Sequence, residues 1–180
     1  MNYDKDFVIL ANSRKISGRC VAGKEIVNST PGAWIRPVSS RPHQEINEEE
    51  RRYNGGTRAD LFDIVSVEMK KHVPSHHQSE NQLINEGVYW VKKGTADWKQ
   101  VQRCIDANTG DLWINGHHSY SGINDRVPEI DTRKLNDSLC LIQPNELVLE
   151  ASVEGASFGN HKKVVRGTFQ WKNTKYALRV

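Results

Sequence analysis

The sequence predicts a mostly β protein with a minor helical share, and three observations carry that expectation. Apolar residues fall in short runs of β-favouring types separated by turn signals, beginning with Phe7-Val8-Ile9-Leu10. One stretch alone, Ala96 to Ala107, repeats apolar residues at helical spacing, through Trp98, Val101 and Ile105. The 180 residues have room for one large or two small domains, each able to bury a core without staples.

Composition narrows the class. With 37% apolar and 26% charged residues, the chain reads as globular and water-exposed rather than disordered. No apolar run approaches the roughly 18 residues of a membrane helix, so no membrane partner is expected. The acidic start, Met1 to Asp6, lacks the cationic region of a signal peptide, which places the expectation in the cytoplasm. Cys20, Cys104 and Cys140 are odd in number and widely spaced, a poor disulfide framework and a poor zinc site, so all three are expected as reduced core thiols. Net charge is only +3, but His161 to Val180 holds six Lys and Arg and no carboxylate, while Glu45 to Glu50 is acidic. A positive binding face and a lysine-protected strand edge both explain that asymmetry.

In chain order, Phe7 to Gly23 reads as a buried strand, a basic turn with Arg14, Lys15 and Arg19, and a returning strand to about Val27. Asn28 to Gly32 is a turn. Ala33 to Val38 is a strand in which Trp34 and Arg36 share one face and Pro37 marks an edge or an end. Glu48 to Arg52 suits one or two exposed helical turns, stopped at Asn54-Gly55-Gly56. Leu61 to Met69 alternates as a strand, with a slip at Ile64-Val65 that suggests a bulge. His72 to Asn81 is a polar loop. Its adjacent His76 and His77 face opposite ways on an extended chain, which argues against a metal site. Val88 to Val91 is a strand, and Thr95 or Asp97 caps the helix Ala96 to Ala107. Leu112 to Ile114, Ser138 to Ile142 and Glu146 to Glu154 read as strands, and Lys163 to Trp171 with Lys175 to Val180 form a hairpin about Asn173-Thr174.

Many short strands around one helix point to β-barrels rather than a parallel sheet. Two five-stranded barrels of the OB type would account for the chain: residues 1–94 with the long polar loop, then residues 95–180 with the central helix and a second OB-like part, packed as one unit. The stretches FVILANSRKISGRCVAG, GAWIRPVS, LFDIVSVEM with HHQSEN, and GINDRV before SLCLI together resemble the prokaryotic dual OB-fold domain family over most of the chain. That resemblance implies a nucleic-acid or nucleotide recognition module with a role in conflict with mobile elements or phage. Such proteins continue with further strands beyond the position of Tyr176 to Val180, so the second barrel is expected to be incomplete.

For chemistry, no phosphate loop, nucleophile elbow or zincin motif is present. The leading expectation is a non-catalytic module, without a cofactor, that takes single-stranded nucleic acid or a nucleotide. Arg14, Lys15, Arg19 and Arg36 would contact phosphate, Trp34 or Tyr120 would stack a base, and His77, Gln78 and Asn81 would lie at the ligand, with the two amides reading a base edge. Two alternatives stand: an adaptor that binds a protein partner through its sheet edges, and a small nuclease or phosphodiesterase using His77 and Glu80.

Overall fold

A computed structural model describes residues 1–107, 110–135, 138–159 and 161–180. Two compact units make up the chain: Met1–Ile105 with Asn136–Leu139, and Asp106–Leu135 with Cys140–Val180. Close to half of the chain is strand. No described helix is long and apolar enough to cross a membrane.

The first unit is built from β1 (Tyr3–Lys15), β2 (Gly18–Val27), β3 (Thr30–Val38), β4 (Asp63–His72), β5 (Asn81–Ile84) and β6 (Val91–Thr95). Antiparallel pairing runs β1 to β2 to β3, a parallel step joins β3 to β5, and β5 and β1 both pair with β4. The hydrogen-bonded circuit thus returns to its starting strand. Five strands connected 1-2-3-5-4-1 with a parallel 3–5 step form an OB-type barrel. β5 and β6 take successive halves of one β4 edge, with a bulge against β6 at Ile64/Val65 where the alternation had suggested one.

Phe7, Ile9, Val21, Ile35, Val65, Val67, Met69 and Ile84 fill the interior, joined by Ile46 and Trp90 from the connections. Phe7, Val8 and Ile9 are all buried, as a strand covered on both faces requires. Val8 faces away from the barrel core, toward a cleft of about 120 Å³ that Ile26, Ile64, Ala96 and Cys104 also line. The inward residues of β4 are Asp63, Val65, Val67 and Met69; Phe62 is exposed with φ 69° and meets Trp98 edge-on.

The expected helix is shorter. α1 spans Trp98–Gln102 and lies in the first unit, begun by a capping box in which Asp97 accepts from the Gln100 N–H while the Gln100 side chain accepts from that of Asp97. Arg103 closes it, so Ile105 extends the spacing but not the helix. A second short helix, α2 (Glu129–Thr132), was not expected.

The second unit holds an antiparallel meander of β7 (Leu147–Glu154), β8 (Lys162–Trp171) and β9 (Thr174–Arg179), with an isolated bridge from Ile123 to Ala177. Leu112 to Ile114 and Ser138 to Ile142 form no strand. Tyr176 is fully buried between Phe169, stacked at 5.3 Å, and Trp113, edge-on at 5.4 Å. Asn124 ties the preceding loop together: its side chain accepts from the Gly116 N–H and donates to the Lys175 carbonyl, and its own carbonyl accepts from the Trp113 indole. Of the cysteines only Cys104 is buried; Cys20 is half-buried and Cys140 exposed, because Cys140 lies on irregular chain rather than on an inward strand position.

Candidate functional site

The β1–β2 turn is two residues long, Ile16 and Ser17, with Ile16 at φ 43°. It places Arg14 directly opposite Arg19 and Lys15 opposite Gly18. The hairpin is clamped to the β3–β4 connection, since Arg19 and Ile46 exchange backbone bonds of 2.7 and 2.9 Å. Gly18 is required there, because a Cβ would stand 2.4 Å from the Ile46 carbonyl oxygen. Arg14 is exposed and Lys15 half-buried, whereas Arg19 turns its guanidinium to Glu48 at 3.2 Å.

Glu48 also takes Arg51 at 2.6 Å and Arg58 at 3.5 Å. Partial burial works against its charge, but hydrogen bonds from Arg51 and Arg19 and the field of Arg58 hold its carboxyl below the usual range. One carboxylate therefore faces three guanidinium groups beside a cleft of about 390 Å³ lined by Asn12, Arg19, Arg51 and Arg58.

On the β2–β3 face, register sets Lys24 opposite Trp34, and the ammonium lies 5.4 Å from the ring centroid. Trp34 is half-buried and lines a cleft of about 460 Å³ with Lys24, His72, Ser79 and Gln82. Lys5 and Glu25 pair at 2.6 Å along the same cleft.

Other expected ligand residues serve the fold. Arg36 shares a face with Trp34, but its side chain is 11% exposed and pairs with the 3% exposed side chain of Glu80 at 2.9 Å. Ser138 accepts from Arg36 at 2.6 Å and donates to Glu80 at 2.5 Å. Arg36 is thus a buried ion-pair partner rather than a cation open to phosphate, and it does not join an exposed group with Arg14 and Lys15. Asn81 opens β5 at 0% exposure and donates to Gln78 at 3.2 Å, so its amide cannot reach a base edge. His77 and Gln78 stay at the surface region, on a tight turn bracketed by Ser75 and Gln78, with His76 at φ 51°. Arg36 and Ser138 hold Glu80 at Oε1, and no hydrogen bond joins Glu80 to His77 among the described residues.

Lys24, Arg51 and Arg58 were missed. The first needed the Asn28-Ser29 turn to set the register; Arg51 lay on a stretch that local spacing presented as a solvated helical face, and Arg58 beyond the glycines that ended it.

Residues 5–180 match the family described as the dual OB-containing domain. The chain belongs to that family. No curated protein and no solved structure shows a significant match. In this dual OB-containing chain the β1–β2 turn, the β2–β3 face and the β4–β5 turn occupy the positions through which OB barrels take ligands. Trp34 is on the second of those elements, His77 and Gln78 on the third, and Arg14 and Lys15 end β1 beside the first.

Proposed function

We propose that the first barrel is a non-catalytic module that binds single-stranded nucleic acid or a nucleotide, stacking a base on Trp34 and contacting phosphate through Arg14, Lys15 and Lys24. The observation that carries this reading is the Trp34–Lys24 pair in an open cleft on the β2–β3 face of an OB barrel. An aromatic face with a cation beside it suits a base and its phosphate, and stacking contributes about 1–3 kcal/mol per base. Gln78, at the β4–β5 turn, supplies the amide that would discriminate bases. Such a module would work in the cytoplasm, and the family resemblance suggests a role in prokaryotic conflict with phage.

The test is a titration of a labelled oligo-dT against the full chain at low and moderate salt. Affinity should fall as salt rises. Trp34→Ala should weaken binding at every salt concentration, and Arg14→Ala with Lys15→Ala should flatten the slope by about one counterion per lost contact. Binding that ignores salt, or no binding, overturns the reading. An adaptor reading has one observation in its favour, the exposed Leu147, Leu149 and Val153 along β7, and it gains if the oligonucleotide fails to bind.

A further inference from the structure

The second unit contains a cleft of about 440 Å³ whose walls combine two exposed rings with an excess of positive charge. Tyr120 is 83% exposed and Phe158 70%, and the two meet edge-on at 5.4 Å. Phe158 stands on the short turn Ala156–Phe158, flanked by Gly155 at φ 84° and Gly159 at φ 69°, a left-handed backbone that glycine accepts without strain. The two aromatic side chains stand in water without the cover a core would provide, beside a cleft in the size range of ligand sites.

The charges are arranged unevenly. Arg166, on β8, donates to Glu154 at 2.5 Å and to Asp125 at 3.3 Å, so both carboxylates of the cleft are engaged by one guanidinium. Asp125 is fixed in turn by the Ser119 N–H at 2.6 Å, and Gly122 packs so closely on it that a Cβ would fall 1.9 Å from its oxygen. Arg179 is the direct cross-strand neighbour of Arg166, and its charge acts on Glu154 alongside that of Arg166. Among the described residues Arg126, Lys162 and Arg179 form no ion pair, although all three line the cleft.

From this juxtaposition we infer that the second unit has its own nucleotide site, in which Tyr120 and Phe158 stack a base while Arg126, Lys162 and Arg179 hold its phosphate. Rings alone would suit an apolar ligand, and cations alone an inorganic anion. Their combination in one cleft selects a ligand that is aromatic at one end and anionic at the other. A free nucleoside phosphate and one unit of a single strand share that chemistry. The site does not depend on the barrel reading, because every residue of it belongs to the second unit.

Photocrosslinking of the full chain with 5-iodo-UMP, and separately with a short 5-iododeoxyuridine oligonucleotide, tests this by mass spectrometry of the labelled peptides. Label is expected on the peptide carrying Tyr120 or Phe158, reduced about tenfold by Tyr120→Ala and by Arg126→Ala with Lys162→Ala. Lys163→Ala, outside the cleft, should leave it unchanged. Labelling there by both probes supports a site for free nucleotide; labelling by the oligonucleotide alone supports a site for a strand. Label confined to the Trp34 peptide overturns the second site and leaves the barrel reading intact. Label confined to Tyr120 or Phe158 upholds the second site and removes the barrel reading. No label on either peptide overturns both.

Discussion

The two units solve the same problem of burial by different means. In the first, pairing closes on itself, so inward side chains from five strands meet across one interior, and Phe7 and Trp90 pack edge-on at 6.1 Å within it. In the second, three strands form an open meander, and burial centres on Tyr176 with its two ring neighbours. Leu147, Leu149 and Val153 stay exposed on β7 among the described residues. What the open sheet lacks in apolar cover is supplied by directional polar bonds, with Asn124 as their hub. Closure lets ordinary hydrophobic patterning hold a fold, whereas an open sheet of this size leans on individual hydrogen bonds.

The largest break in that contrast should come from Trp90→Ala, which empties a fully enclosed site in the barrel and should cost about 3–5 kcal/mol. Denaturant unfolding followed by hydrogen exchange should show the loss in β1 to β5 and little change in β8 and β9. A smaller effect is expected from Asn124→Ala, which strips partners from the Gly116 N–H and the Lys175 carbonyl at about 2–3 kcal/mol. Exchange should then quicken in β8 and β9 alone. Asn124 has φ 51°, so Asn124→Gly should be milder than Asn124→Ala by about 1 kcal/mol while still losing both bonds. If both variants leave exchange in the second unit untouched, the loop is not its staple.

The smallest effect separates the units by acidity. Burial opposes the charge of Asp125, but hydrogen bonds from Ser119 and the Arg166 guanidinium hold its carboxyl below the usual range; Arg166 does the same for Glu154. Groups lowered in the folded state contribute fully above the unfolded pKa of about 4, and that contribution drains away as pH falls through the lower folded values. Acid titration below pH about 4 should therefore loosen β8 and β9 through Asp125 and Glu154, while the first unit responds through its own lowered carboxyls, Asp63 and Glu48. Asp125→Asn should remove most of the acid response of β8 and β9 and leave that of the first unit unchanged.

How much of this was legible in the sequence depends on what each residue had to meet. β1 to β4 announced themselves, since runs such as Phe7 to Leu10 and the alternation around Val65 reflect local burial. β5 did not: Asn81 and Gln82 are polar, yet buried, so Asn81 was assigned to the polar loop and Gln82 to no strand. Arg36 looked like a ligand contact because its partners, Glu80 and Ser138, are remote in the chain. The cleft of the second unit was hidden for the same reason. Tyr120 drew attention by itself, but only the meander brings Arg179 beside Arg166, and only the turn at Gly155 brings Phe158 to Tyr120. The GINDRV stretch stood out as part of the family resemblance, while the bonds that make Asn124 its centre reach across to Lys175.

The parallel step between β3 and β5 also governs the order in which the first unit can assemble. Arg36 pairs with Asn81 across the whole of the β3–β4 connection and β4, whereas the β1–β2 and β8–β9 hairpins join neighbours within a few positions. Ordering so long an intervening segment carries a chain-entropy cost before the pairing returns anything. The hairpins should therefore form early, and the two long-range seams, β1 with β4 and β3 with β5, late. On a ribosome, β1 to β3 emerge as an unsealed curl whose interior stays wet until residues beyond Ile84 have left the exit tunnel.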